Sequence, residues 1–137
     1  MNLRIIQNEE KYFDFIRILR THKENTKGFF EQVEISSEQQ YKYMEKHKND
    51  YLICIDENET PVGWIGIVEN DIRFCVDPLF KNNGIGKFML LELIKIHPNG
   101  EAKVLLENQA SNKLCQSIGF FAYKKDEKFI YYRLLKE

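Results

Sequence analysis

The stretch DPLFKNNGIGKFMLLELI, residues 77–94, decides the reading of this chain. RFCV just before it has strand character, and Pro78 cannot continue a ladder. Behind the turn an apolar run to about Ile96 has helical length. The turn therefore leads into a helix whose first amides have no intrahelical acceptor. Gly84 and Gly86 carry no side chains to shield those amides, and they allow a ligand close to the backbone. Lys81 and Lys87 add positive charge on either side. A helix start of this kind attracts anions through free N–H groups and the helix dipole, so the segment is built like a diphosphate cradle.

Two nucleotide-loop patterns do not fit. A GxGxxG fingerprint needs a third glycine where Met89 stands, and it belongs near the start of its βαβ unit. A GxxxxGK[ST] loop needs glycine at Lys81 and a hydroxyl at Phe88.

Working outward, LRIIQ (3–7) reads as an opening strand and EEKYFDFIRILRTH (9–22) as an amphipathic helix with Tyr12, Phe13, Ile16 and Leu19 inward. Ser36 and Gln39 form a capping-box pattern for a helix over 36–48. YLICID (51–56) and PVGWIGIVE (61–69) read as a hairpin, and DIRFCV (71–76) as a central strand. AKVLLE (102–107) is a further strand, SNKLCQSIG (111–119) a helix ending on a C′ glycine, and FFAYKKD with KFIYYRLL a terminal hairpin. The order predicts an α/β fold with a mixed sheet of six to seven strands, about four helices, and a right-handed crossover over 71–107.

Bulk properties bound the rest. The length of 137 residues suits one domain, 1–137, with one core. A net charge of −1, from 20 basic and 21 acidic residues, argues against a nucleic acid or anionic membrane held by bulk charge. No apolar run reaches the roughly 20 residues of a membrane span. The opening MNLRIIQNEEKYF lacks a signal-peptide core, so a cytoplasmic location is expected. Cys54, Cys75 and Cys115 show no CxxC pairing and are expected as reduced, buried thiols. His22, His47 and His97 lack ligand spacing, so no metal site is expected.

VDPLFKNNGIGK (76–87) resembles the acyl-CoA-binding motif of the GCN5-related N-acetyltransferases, V-x-P-x-x-[RQ]-x-x-G-x-[GA], with Lys81 at the basic position. NQASNKLCQSIGF (108–120) is similar to the family's second signature, with Asn108, Ser111, Leu114, Gly119 and Phe120 in place. The resemblance spans nearly the whole chain. It implies two parallel central strands that splay apart, and transfer of acetyl from acetyl-CoA to a primary amine. It also implies cofactor binding by Phe74, Cys75, Val76, Lys81, Asn82, Asn83, Gly84, Ile85, Gly86, Lys87, Asn108 and Ser111. The Val76 N–H would stabilise the oxyanion, and Asn108 would hydrogen-bond the cofactor arm or the reacting centre.

Cys115 stands where many members carry a tyrosine acid, and reads either as that acid or as a small buried helix residue. Glu69 and Asp71 beside the central strand, or His22 and Glu31 in the segment after the first helix, are candidate bases or solvated groups. Phe29, Phe30 and Trp64, with His22, either line an acceptor pocket or serve structural roles, the aromatic residues by packing the core. A nucleotide-linked amino sugar, an amino acid or another small metabolite fits the acceptor region, and a protein N-terminus remains open. The alternative is a non-catalytic acyl-CoA-binding sensor on the same fold. An exposed edge in the terminal hairpin is compatible with a homodimer.

Overall fold

A computed structural model describes residues 1–22, 25, 34–81 and 83–134. The chain runs β1 (Arg4–Gln7), α1 (Phe13–Thr21), α2 (Ser37–His47), β2 (Tyr51–Ile55), β3 (Pro61–Val68), β4 (Asp71–Val76), α3 (Ile85–Ile96), β5 (Glu101–Leu105), α4 (Gln109–Ser117), β6 (Phe120–Lys125) and β7 (Phe129–Leu134). Among the described residues the seven strands form one open sheet ordered β1-β2-β3-β4-β5-β7-β6. All described neighbours are antiparallel except β4 and β5. β6 is thus an edge strand, and β7 is inserted between it and β5. No helix among the described residues is long and apolar enough to cross a membrane.

Local signals place most elements. The Ser36 hydroxyl accepts from the Gln39 N–H at 3.1 Å, and the Gln39 side-chain Oε1 accepts from the Ser36 N–H at 2.9 Å. These two bonds are the reciprocal cap that the spacing predicts. Gly119, at φ 97°, ends α4 in a conformation that only glycine adopts freely. Two boundaries differ from expectation. The first helix opens as a 3₁₀ turn over Glu10–Tyr12 and becomes α-helical at Phe13. α4 starts two residues early, because Asn108 caps it by accepting from the Ser111 N–H at 3.2 Å.

Strand alternation sends side chains into two cores, one on each face of the sheet. One face packs Ile72, Val104 and Tyr132 under Ile85, Met89, Leu90 and Leu93 of α3 and Cys115 of α4. The other packs Tyr51, Ile53, Trp64 and Cys75 under Phe13, Ile16 and Leu19 of α1 and Met44 of α2. All three cysteines are free and buried. Burial pushes each thiol up to about 12, so none is a thiolate near neutrality.

The feature that positions the site is an unfinished ladder. β3 and β4 pair along six residues, from Gly63↔Val76 to Val68↔Asp71. β4 and β5 pair only at Asp71↔Glu101 and Ile72↔Ala102. Beyond Ile72 the two parallel strands separate, and β4 is laddered on one side alone.

Candidate active site

The separation of β4 and β5 opens a cleft of about 860 Å³. Its walls come from Asp71–Val76 of β4, Ala102–Val104 of β5, the turn into α3, and the Asn108–Leu114 region of α4. Hydrogen-bond direction alternates along a strand. The Asp77 N–H donates to the Val62 carbonyl on the β3 side at 2.9 Å. At the other end the Glu101 N–H donates to the Asn70 carbonyl at 2.9 Å, which sets the parallel register. Alternation therefore turns the N–H groups of Phe74 and Val76 toward the cleft, where β5 no longer pairs with them. A bound amide carbonyl can use such an edge as an added strand does.

One end of the cleft is the start of α3. Asp77 caps a 3₁₀ turn over Pro78–Phe80 by accepting from the Leu79 N–H at 3.0 Å. Asn83 steadies the next bend, its amide donating to the Phe80 carbonyl at 3.0 Å. Gly84 then takes φ 73°, and no side chain caps the helix. The first helical bond runs from the Phe88 N–H to the Gly84 carbonyl, at 3.0 Å. The amides of Ile85, Gly86 and Lys87 precede it. Lys81, Gly84, Ile85, Gly86 and Lys87 all line the cleft, and the first turn of α3 carries no acidic side chain.

The two glycines serve different ends. A Cβ on Gly84 would meet nothing within 4 Å, so the space above it is open. A Cβ on Gly86 would lie 3.1 Å from Leu114 and 3.4 Å from Phe74, so Gly86 lets the start of α3 close on α4 and β4. The spacing predicts shielding-free amides at both positions; at Gly86 the tighter constraint is packing.

The other expected residues are distributed as follows. Phe74, Cys75, Val76, Asn108 and Ser111 line the cleft. The Cys75 thiol turns away from α3, toward the Leu19 carbonyl at 3.4 Å. The Asn108 side-chain oxygen is engaged in capping α4. Asn82, Phe29, Phe30 and Glu31 lie outside the described residues. His22 closes α1 and is not part of the cleft wall, whereas Arg20 and Asn25 beside it are. Glu69 sits exposed at the β3–β4 tip with φ 51°, at the end of β4 where the strands still pair, and the cleft does not include it. Among the described residues, the carboxylates in the cleft wall are Asp71 and Glu107. Trp64 is 1% exposed, stacks edge-on to Tyr51 at 5.5 Å, and lines a second cavity of about 340 Å³.

Cys115 is fully buried in the core, and the cleft wall is made by its neighbour Leu114 instead. Burial holds this thiol up at about 12, and Cys115 is not among the residues of the cleft wall. Cys115→Ala is expected to keep kcat within about twofold of wild type and to cost about 1 kcal/mol of stability from the lost sulfur. A pH–rate profile and a urea titration measure the two. A folded variant slowed more than about tenfold would restore the acid role.

Sequence reasoning missed Asn112, Arg73 and the second cavity. Asn112 is buried, accepts from the Tyr132 hydroxyl at 2.7 Å, and donates to the carbonyls of Leu105 at 3.0 Å and Asn108 at 2.9 Å. It ties β5, α4 and β7 together beneath the cleft. Its one local signal was an asparagine four residues after Asn108 in a predicted helix.

Solved structures share this architecture at low identity. Spermidine N-acetyltransferase from Vibrio cholerae, in complex with CoA and spermine, is similar over 96% of this chain and 93% of its own, at 14% identity and TM-score 0.84. YncA from Salmonella typhimurium, with its cofactor acetyl-CoA, is similar over 100% and 96%, at 16% identity and TM-score 0.78. A GCN5-related N-acetyltransferase from Kribbella flavida is similar over 97% and 98%, at 17% identity and TM-score 0.77. No curated protein sequence matches significantly. Residues 14–120 match the acetyltransferase (GNAT) family, a span that holds the unfinished β4–β5 ladder, the glycine turn and the Asn108 cap, and the chain belongs to that family.

Proposed function

We propose that this chain, acting as one domain, transfers acetyl from acetyl-CoA to the primary amine of a small acceptor. The observation that carries the reading is the β4–β5 ladder ending at Ile72↔Ala102, with the Phe74 and Val76 amides turned into a cleft that runs to the uncapped start of α3.

Acetyl-CoA supplies an activated thioester. The amides of residues 83–87, with Lys81 and Lys87, bind its diphosphate through the helix dipole and charge. The cleft edge of β4 pairs with the amides of its pantetheine arm. The Val76 N–H points at the thioester carbonyl and meets the negative charge that develops on that oxygen. Attack by the amine forms the C–N bond, the C–S bond breaks, and coenzyme A leaves as a thiolate that takes a proton from water. Asp71, in the cleft wall, replaces Glu69 as the carboxylate placed to accept the amine's proton; its bond from Arg73 at 3.0 Å orients it. Ser111 and Asn108 form the wall beside the arm. Positioning carries much of the rate.

The test is free-thiol release from acetyl-CoA against amino sugars, amino acids, peptides and polyamines, with a calorimetric titration of coenzyme A. Amine-dependent release is expected. Absence of coenzyme A binding overturns the reading. Binding without release across the whole panel favours a non-catalytic acyl-CoA-binding module.

A further inference from the structure

We propose that the acceptor is an amine that also carries a carboxylate, that Arg73 reads this carboxylate, and that the acceptor's apolar body occupies the second cavity. This rests on the N-acetyltransferase reading.

Alternation along β4 puts Arg73 on the same face as Cys75, the face covered by α1 and α2 rather than by α3. The cleft reaches that face, because Arg20 and Asn25 at the end of α1 are among its walls. An acyl carrier bound along α3 leaves this opposite mouth for the amine. Arg73 lines both the cleft and the 340 Å³ cavity, so it stands where the two meet. Apart from Arg20, Gln39 and Gln40, the cavity's other walls are apolar or aromatic, chiefly Ile16, Ile35, Met44, Tyr43 and Trp64. That lining suits a hydrocarbon or aromatic group.

The charge at this mouth favours an anion. Among the described residues, this side of the cleft carries Arg20, Arg73 and Lys103 with Asp71, and Glu107, past the end of β5, is the other carboxylate of the wall. Lys103 shares the Arg73 face, since Ala102 and Val104 on either side point into the α3 core. A polyamine would meet three cations here, whereas a carboxylate meets donors. Arg73 spends one of its five N–H donors on Asp71 in the recorded bond, at 3.0 Å. Its planar fork can still pair with a carboxylate.

Arg73 is also held in place. Gly66 pairs with Tyr51 on one side and Arg73 on the other. A Cβ on Gly66 would lie 2.5 Å from the Tyr51 ring, so only glycine lets that ring cross β3 toward Arg73. The Tyr51 hydroxyl sits 2.6 Å from that of Tyr43, and burial first, then Tyr43, pushes its pKa well above the usual value while Arg73 opposes the shift. The hydroxyl stays neutral and braces the guanidinium. Gly66 and Tyr51 are positioning residues for Arg73.

The probes are L-phenylalanine, L-phenylalaninamide and spermidine, with wild type, Arg73→Gln, Arg73→Lys and Gly66→Ala, each first shown to bind coenzyme A normally by calorimetry. Wild type is expected to release thiol with L-phenylalanine and not measurably with spermidine. Arg73→Gln should raise KM for L-phenylalanine about 10- to 100-fold, the loss of one charged bidentate contact, and leave the amide's KM little changed, while kcat falls for acid and amide alike because Asp71 loses its partner. Arg73→Lys should recover part of the loss, and Gly66→Ala should reproduce it. An equal rise of KM for acid and amide in Arg73→Gln, or preference for spermidine, overturns the carboxylate assignment while leaving the transferase intact. Normal coenzyme A binding with no release for any amine overturns the transferase reading and this inference with it.

Discussion

Coenzyme A binding is expected to be lost when Gly84 becomes glutamate, with affinity falling at least about 100-fold in a calorimetric titration, while Gly84→Ala should lose only a fewfold. Gly84 has φ 73°, and any L-residue there costs about 1 kcal/mol of backbone strain. That cost is common to both variants, and urea titrations should show it in both. The difference between them is charge. The space over Gly84 is open, so a glutamate side chain does not disturb neighbouring protein. It projects beside amides that would otherwise meet a diphosphate, and it is drawn to the same dipole. Equal affinities for the two variants would move the diphosphate away from residues 83–87.

Asn112→Ala is expected to be the most damaging single change near the cleft, costing about 3 kcal/mol and lowering Tm by about 10 °C. Removing the carboxamide strips the Leu105 and Asn108 carbonyls of a donor. It also takes the acceptor from the hydroxyl of Tyr132, a residue with no exposure. A buried hydroxyl left without its acceptor costs more than the bond itself contributed. Tyr132→Phe in the same background removes that stranded group. The double variant should therefore be less destabilised than the sum of the singles, and strict additivity in urea titrations would refute the coupling. Because Asn112 anchors the turn holding Asn108 and Ser111, coenzyme A affinity should fall with stability.

The local elements were legible because their signals are local. Ser36 and Gln39 state a helix start within four residues, Gly119 states a helix end, and the glycine turn states an open helix N-terminus. None of these needs a distant partner, so periodicity and capping chemistry were sufficient. The exceptions were boundaries set by side chains with two roles. Asn108 was read as a ligand-binding group, and its oxygen caps α4. Cys115 and Glu69 were read by position in a motif and a hairpin, and burial took one from the cleft while strand direction took the other.

By itself, then, the order of residues determined the elements, their sequence, the anion-seeking turn and the family resemblance, since each depends on contacts a few residues apart. Only the tertiary structure decided where the β4–β5 ladder stops, which carboxylate reaches the cleft, and that Tyr51, Gly66 and Arg73 meet across three strands. Those facts rest on pairing between segments distant in the chain. A side chain's environment there is set by residues that its own neighbourhood does not contain.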